Sequence, residues 1–286
     1  MSGAKSRRTA VLLGPYSVWA ALFILVPLFF VAYYAFTDNS FNFTLDNILK
    51  FFTEQSRETG SRIYLDIFFR SLKLAVISTV ICLLMGYPLA YIMTRAGERA
   101  QKIMMVLIMI PMWMNFLIRT YAWMTILQDT GILNGFIQSL GLQPIHIIGT
   151  ESAVVVGMVY DYLPYMVLPI YSVMAKMDYK LVEAARDLGC NGLQVLRRVI
   201  LPLSIPGILN GVTMVLIPSI STFYISQKLG NGKFFLIGDA IEGQYVSNNL
   251  HFAAAMAFIL MVILLAAMAL IKYLTGRRKY EGGAKA

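Results

Sequence analysis

Six stretches of this chain, at about 10–36, 71–94, 103–127, 152–175, 203–227 and 252–272, are long, apolar and almost free of charge. Crossing roughly 30 Å of hydrocarbon takes about 20 mainly apolar residues in a helix. Lipid offers no partner to backbone amides, so a spanning segment of this kind must close its hydrogen bonds within itself. The pattern predicts an all-α integral membrane protein with six transmembrane helices in a single domain over 1–286. Composition agrees: 58% of residues are hydrophobic, only 14% are charged, and the mean hydropathy is +0.67, whereas soluble domains are nearer a quarter charged. Lys5, Arg7 and Arg8 before the first run resemble the start of a secretory signal. The run is far longer than a signal core and no small-x-small cleavage site follows, which points to an uncleaved first span.

Charge sets the orientation. With six spans, both termini and the second and fourth loops share one side, which carries sixteen lysines and arginines, among them Arg95, Lys176, Lys180, Arg197 and Lys272. The other side carries six: Lys50, Arg57, Arg62, Arg70, Lys228 and Lys233. Basic loops stay cytoplasmic, so both termini are expected inside a bacterial plasma membrane. The net charge of +9 is then topological bias and attraction to anionic headgroups rather than a nucleic-acid face.

The outer segments are short. A brief helix is expected near Leu45 to Thr53 and another in the stretch Gly131–Leu142, while 227–251 is rich in Gly and Asn and suited to lining an entrance. Prolines interrupt the spans at Pro111, Pro164 and Pro169, at Pro202 and Pro206 entering the fifth, and at Pro218 inside it. Such breaks survive in a bilayer where neighbouring helices or a water-filled cavity satisfy the freed backbone groups. Nothing resembles a catalytic set. His146 and His251 are the two histidines, both in outer loops, and Cys82 and Cys190 have no metal-ligand spacing. Gly230-Asn231-Gly232-Lys233 lacks the phosphate-loop spacing and falls on the outer side. No metal and no cofactor of the chain's own is expected, and any ATP must be bound by other subunits.

Two ionisable residues stand out inside spans, where charge is costly and usually functional. Asp161 lies about nine residues in from the outer end of the fourth span and Arg119 about eight from that of the third, roughly 12–14 Å deep at the helical rise. Two readings stand: a structural Arg119–Asp161 ion pair, or an Asp161 that faces the pathway and attracts a cation. Arg119 can also stack on Trp123 one turn on. Tyr165, Phe223 and Tyr224 are candidate pathway rings beside Asp161, and Tyr121 and Trp123 read as interfacial anchors.

The stretch 176–202 is the most polar interruption between two spans, and on the charge count it is cytoplasmic. It reads as two short helical pieces broken at Gly189 to Gly192. Glu183-Ala184-Ala185, then Gly189, nine residues, Val199, and Leu201-Pro202 resembles the "EAA loop" of ABC importer permeases, with Val199 where isoleucine is usual. Small alanines let a short helix seat deeply, Gly189 allows a sharp turn, and Glu183 offers a carboxylate. Over nearly the full length the chain further resembles the spermidine/putrescine permeases of the PotB type, in Asn115 to Trp123, Leu163-Pro164-Tyr165, Leu168 to Tyr171 and Phe223 to Ser226. That resemblance implies a type I importer (MetI-like) fold and a PotC-like permease beside this one. It also implies two PotA-like ATPase subunits that bind the ATP and an external PotD-like polyamine-binding protein. Glu183, Ala184, Ala185 and Gly189 would form the ATPase-coupling surface. Permeases for ferric iron or sulfate share the loop and are the near alternative for the cargo. An ion-driven secondary transporter is the alternative of a different class.

Overall fold

The computed structural model of the protein describes residues 14–56 and 60–283, with the side chains of residue 270 and of 274–283 left aside. Lys5, Arg7, Arg8, the first residues of the expected first span, Arg57 and Lys285 lie outside the described residues, and so do the side chains of Arg277, Arg278 and Lys279. The described residues are helical, with isolated bridges Thr37–Phe43 and Gln55–Arg62 and no strand. In chain order the helices are α1 (Gly14–Ala35), α2 (Asp46–Thr53), α3 (Ile63–Arg95), α4 (Glu98–Trp113), α5 (Phe116–Leu127) and α6 (Ile132–Ser139). There follow α7 (Glu151–Met174), α8 (Lys180–Asp187), α9 (Gly192–Ser221), α10 (Tyr224–Leu229), α11 (Ile237–Val246) and α12 (Leu250–Gly283). Two compact units divide the chain: Met1–Leu65 with Ala240–Ala266, and Asp66–Asp239 with Ala267–Ala286.

Five helices (α1, α3, α7, α9 and α12) are long and apolar enough to cross a membrane, and a bent pair raises the number to six. That pair occupies the expected third span. Instead of running straight over 103–127, the chain bends by 94° between α4 and the helix that begins at Phe116. Met114 takes an extended conformation there, and the Asn115 side chain accepts from the amides of Leu117 and Ile118 to start α5 afresh. A capping asparagine directly after an apolar helix is a strong restart signal.

The fifth span differs too. α9 begins at Gly192, so the second helical piece of the polar loop is the foot of the span rather than a separate element. A π turn, Leu196–Ile200, sits just before Pro202, whose missing N–H cannot continue the ordinary ladder. The helix stops at Ser221, Thr222 is extended, and α10 restarts after Phe223.

In the larger unit α7 and α9 pack against each other along their lengths. Helices in lipid gain little from apolar burial, so their association depends on close van der Waals fit and small residues at the contact. Gly207 is such a residue: a Cβ there would lie 2.9 Å from the Pro169 carbonyl oxygen and 3.0 Å from the Ile170 Cα. Several buried hydroxyls in this unit return to their own helix, as with Thr79 to Ala75 O (2.7 Å) and Ser219 to Val215 O (2.7 Å), whereas Ser78 reaches Met158 Sδ of α7 at 3.3 Å. Ala90, Met93, Ile170 and Met174 of α3 and α7 share a core with Val182 of α8 and Val195 of α9. The polar loop is thereby attached to three long helices.

In the smaller unit α2 covers Asp46–Thr53, within one residue of expectation. His251, expected in an open loop, is buried at the start of α12, 3.1 Å from Thr37 Oγ1 and edge-on to the Tyr34 and Phe41 rings. Its imidazole packs like an aromatic core residue. Asp38 nearby has its carboxyl held below the usual carboxylate range, chiefly by the Asn42 backbone amide, whose nitrogen lies 2.9 Å from Oδ1.

Gly207→Ala is expected to destabilise the α7–α9 contact by about 1–3 kcal/mol, because the obstructing atoms are backbone and cannot rotate away. A lowered thermal unfolding midpoint of the purified complex checks it.

Candidate functional site

Two places concentrate polar chemistry on apolar helices: the loop 176–202 and the region around the breaks in the third and fifth spans.

In the loop, α8 spans Lys180–Asp187 and buries Val182 in the core described above. Glu183 and Ala184 are exposed and Ala185 is half-buried. Gly189 has φ +81°, and a Cβ there would meet no atom within 4 Å, so glycine is required by backbone conformation and not by crowding. The Gly189 amide donates to Arg186 O (2.8 Å) and the Cys190 amide to Ala185 O (3.0 Å), the paired bonds of a Schellman stop. The next helix starts at once. Asn191 Oδ1 accepts from the Gln194 amide at 2.9 Å, and Gln194 Oε1 accepts from the Asn191 amide at 2.8 Å, a reciprocal capping box. A stop and a start fixed by these four hydrogen bonds make a well-braced corner.

What that corner displays is unusual for water. Leu181, Leu188 and Leu193 are 48%, 86% and 73% exposed, beside the Glu183 carboxylate. Behind it, Arg95 at the end of α3 donates to the Tyr179 hydroxyl (2.9 Å) and lies between the rings of Tyr91 and Tyr179, 5.1 and 5.2 Å from their centroids. A cavity of about 230 Å³ opens there, lined by Thr94, Gln101, Met174 and Val182 among others. The loop is therefore attached to α3, α7 and α9 while its apolar outer face is free.

At the breaks, Arg119 and Asp161 are both buried and lie 3.2 Å apart (Nε to Oδ1), an ion pair whose atoms are off line for a hydrogen bond. Arg119 Nη1 also donates to Pro111 O at 2.8 Å. That carbonyl, in the last turn of α4, also accepts from the Met114 amide at 3.3 Å, so the guanidinium adds a second and shorter bond at the helix end. One guanidinium thus ties both sides of the bend in the third span to α7. Its ring partner is Phe116, with Cζ 5.9 Å from the centroid, and not Trp123. The Trp123 ring instead meets Tyr160 edge-on at 5.2 Å. Phe116 lies one turn before Arg119 on the same helix, and the i, i+3 spacing brings its ring within reach.

Of the candidate pathway rings, Tyr165 and Phe223 are 38% and 42% exposed. Tyr165 lies 6.5 Å from Tyr162, whose hydroxyl donates to Pro218 O at 3.4 Å. Tyr224 gathers with rings from the restarted third span: 5.8 Å to Phe116 and 6.2 Å to Tyr121, the latter edge-on. Sequence reasoning counted Lys228 only among the outer basic residues; its ammonium lies 5.3 Å from the Tyr121 centroid and 5.5 Å from that of Tyr224. The i, i+4 spacing of Tyr224 and Lys228 was the available signal. Lys73, inside the expected second span, was also overlooked; it pairs with Glu151 at the start of α7, where both side chains are well exposed. No cluster of three metal-ligating side chains occurs among the described residues.

The geometry now has relatives to set beside it. The family model for "Binding-protein-dependent transport system inner membrane component" matches residues 86–280. The spermidine/putrescine transport system permease protein PotB of Haemophilus influenzae is 38% identical over 255 residues, covering 86% of each chain. Its counterpart in Escherichia coli K12 is 36% identical, covering 86% of this chain and 90% of that one. Among solved structures, a chain of a bacterial ABC transporter involved in import of the acidic polysaccharide alginate superposes with a TM-score of 0.78. It shares 16% identity, over 97% of this chain and 99% of that one, which speaks for the fold alone.

Asp161→Asn is expected to leave Arg119 uncompensated and to cost about 3–5 kcal/mol, the toll of breaking a buried pair from one side. Exchanging both charges (Arg119→Asp with Asp161→Arg) is expected to recover part of that loss. Unfolding of the purified complex reports it; full stability in Asp161→Asn would exclude a structural pair.

Proposed function

The chain belongs to the family of binding-protein-dependent transport system inner membrane components, and we propose that it is the polyamine permease of an ABC importer. It is a multi-pass inner-membrane subunit with the all-helical fold of type I importer permeases. The reading that it carries spermidine and putrescine inward rests on one observation above the rest. Identity of 36–38% to PotB permeases runs through 255 residues and so takes in the membrane-spanning helices as well as the coupling loop.

In this reading both termini and the loop 176–202 face the cytoplasm. Two PotA-like ATPase subunits bind ATP, a PotC-like permease completes the membrane portion, and a PotD-like binding protein delivers the cargo outside. The chain itself carries no ATPase site and catalyses no reaction. The exposed leucines around Glu183 support docking of α8 into an apolar groove of an ATPase. Glu183 supplies a carboxylate at the rim, Ala184 and Ala185 allow close approach, and Gly189 makes the turn. Because Val182 and Arg95 join α8 to the feet of α3, α7 and α9, a push on α8 moves those helices as a body. Asp161 is assigned to holding Arg119, and through it the bend, while Tyr165, Phe223 and Tyr224 remain the pathway rings. The rings suit an ammonium, which they attract by their quadrupoles.

Transport by the reconstituted complex decides between this cargo and others: ATP-driven uptake of spermidine and putrescine is expected, with none of sulfate or ferric iron. Glu183→Arg is expected to abolish ATP-driven uptake, or reduce it at least about tenfold, with the spans still folded. Unchanged uptake in that variant removes Glu183 from the coupling surface.

A further inference from the structure

The aromatic cluster on the restarted third and fifth spans holds a cation already, and that cation belongs to the protein. Lys228 Nζ lies over two rings at once, Tyr121 at 5.3 Å and Tyr224 at 5.5 Å, with Phe116 backing Tyr224 at 5.8 Å. Lys228 takes part in none of the ion pairs found among the described residues, and its identified electrostatic partners are the Tyr121 and Tyr224 side chains, the Tyr121 hydroxyl included. The side chain is half-buried, and Tyr121 is 45% exposed. Rings and ammonium come from two short segments, α5 and α10, that each begin just after a break in a long helix and pack on each other. Discontinuous helices are where transporters build ligand sites, since an interrupted ladder is tolerated where it lines a cavity.

The chemistry of the occupant matters. A lysine ends in a primary ammonium on a flexible four-carbon stem, and an aminobutyl ammonium is the end group of putrescine and of one arm of spermidine. Rings that accept Lys228 accept that end group on the same terms. We propose that Phe116, Tyr121 and Tyr224 form an ammonium-binding site for the cargo, and that Lys228 is a tethered occupant which the arriving polyamine must displace. This rests on the polyamine reading above and adds to it a binding site and a competitor for that site. Lys228 keeps the site filled and free of small cations when cargo is absent. It also sets a threshold of affinity, since a monovalent cation gains no more than the lysine it replaces. A polyamine has a further charge with which to exceed it.

The test is equilibrium binding of radiolabelled putrescine to the purified complex without its external binding protein. Lys228→Met keeps the length and apolar stem but removes the charge. It is expected to tighten putrescine binding several-fold, at most roughly thirtyfold, the range that a cation–π contact supplies. Lys228→Arg is expected to leave the affinity near that of the unaltered protein. Tyr121→Leu with Tyr224→Leu is expected to weaken binding, and Lys228→Met is expected to bring no gain in that background. Affinity unchanged or weakened in an assembled Lys228→Met complex overturns the proposal. If that variant does not assemble, peptide-level labelling of the unaltered complex with an amine-reactive reagent replaces it: saturating putrescine should raise the labelling of Lys228, and constant labelling overturns the proposal. Putrescine uptake by the complete unaltered system separates the two readings. Uptake with no change at Lys228 removes only this inference, whereas no uptake at all removes the polyamine reading and this site with it.

Discussion

A helix that breaks inside a bilayer leaves backbone groups with no solvent to satisfy them, and much of the larger unit answers that one constraint. At the bend in the third span the Arg119 guanidinium reaches back 2.8 Å to the Pro111 carbonyl while the Asp161 carboxylate neutralises it from α7. Asn115 supplies the acceptor that starts the new helix. A charged pair is an expensive solution in a low-dielectric interior, and it persists because each partner answers for the other. The bend in turn points Phe116 and Tyr121 at Tyr224, so the aromatic cluster is a consequence of how the break is repaired.

The loop 176–202 solves the reverse problem. It is held firmly against its neighbours while exposing apolar residues. The Schellman stop at Gly189 and the capping box at Asn191 and Gln194 brace the backbone at the corner. Val182 inserts in the core shared with α3, α7 and α9, and Arg95 adds a lateral tie through Tyr91 and Tyr179. The second helical piece is continuous with the fifth span. There is no hinge between Gly192 and the membrane other than the π turn before Pro202. Movement of the loop and movement of that span are close to the same event.

Much of this was legible without coordinates. Hydropathy marks where helices cross because the cost of an unpaired backbone group in lipid applies to any sequence of that composition. The stop at Gly189 was legible because few residues besides glycine adopt a positive φ at low cost, and the short helices at Asp46–Thr53 and Ile132–Ser139 fall where their sequences point. His251 was misplaced because a loop position says nothing of which rings close over it. The ring partner of Arg119 was misassigned because Phe116 at i−3 and Trp123 at i+4 are both within one turn of it on the same helix, and packing on Tyr160, which local sequence does not show, engages Trp123.

The sequence by itself determined the membrane class, the apolar character of the long helices, the spacing within the loop 176–202 and the family, since each depends on local composition or on the order of residues. Tertiary structure alone decided that Asp161 and Arg119 meet, that Leu188 and Leu193 stay exposed, and that Lys228 lies over Tyr121 and Tyr224. Those three depend on how helices distant in the chain bend and pack. A bend angle is set by neighbours that repair the broken hydrogen bonds, and no local pattern of residues encodes which neighbours those will be.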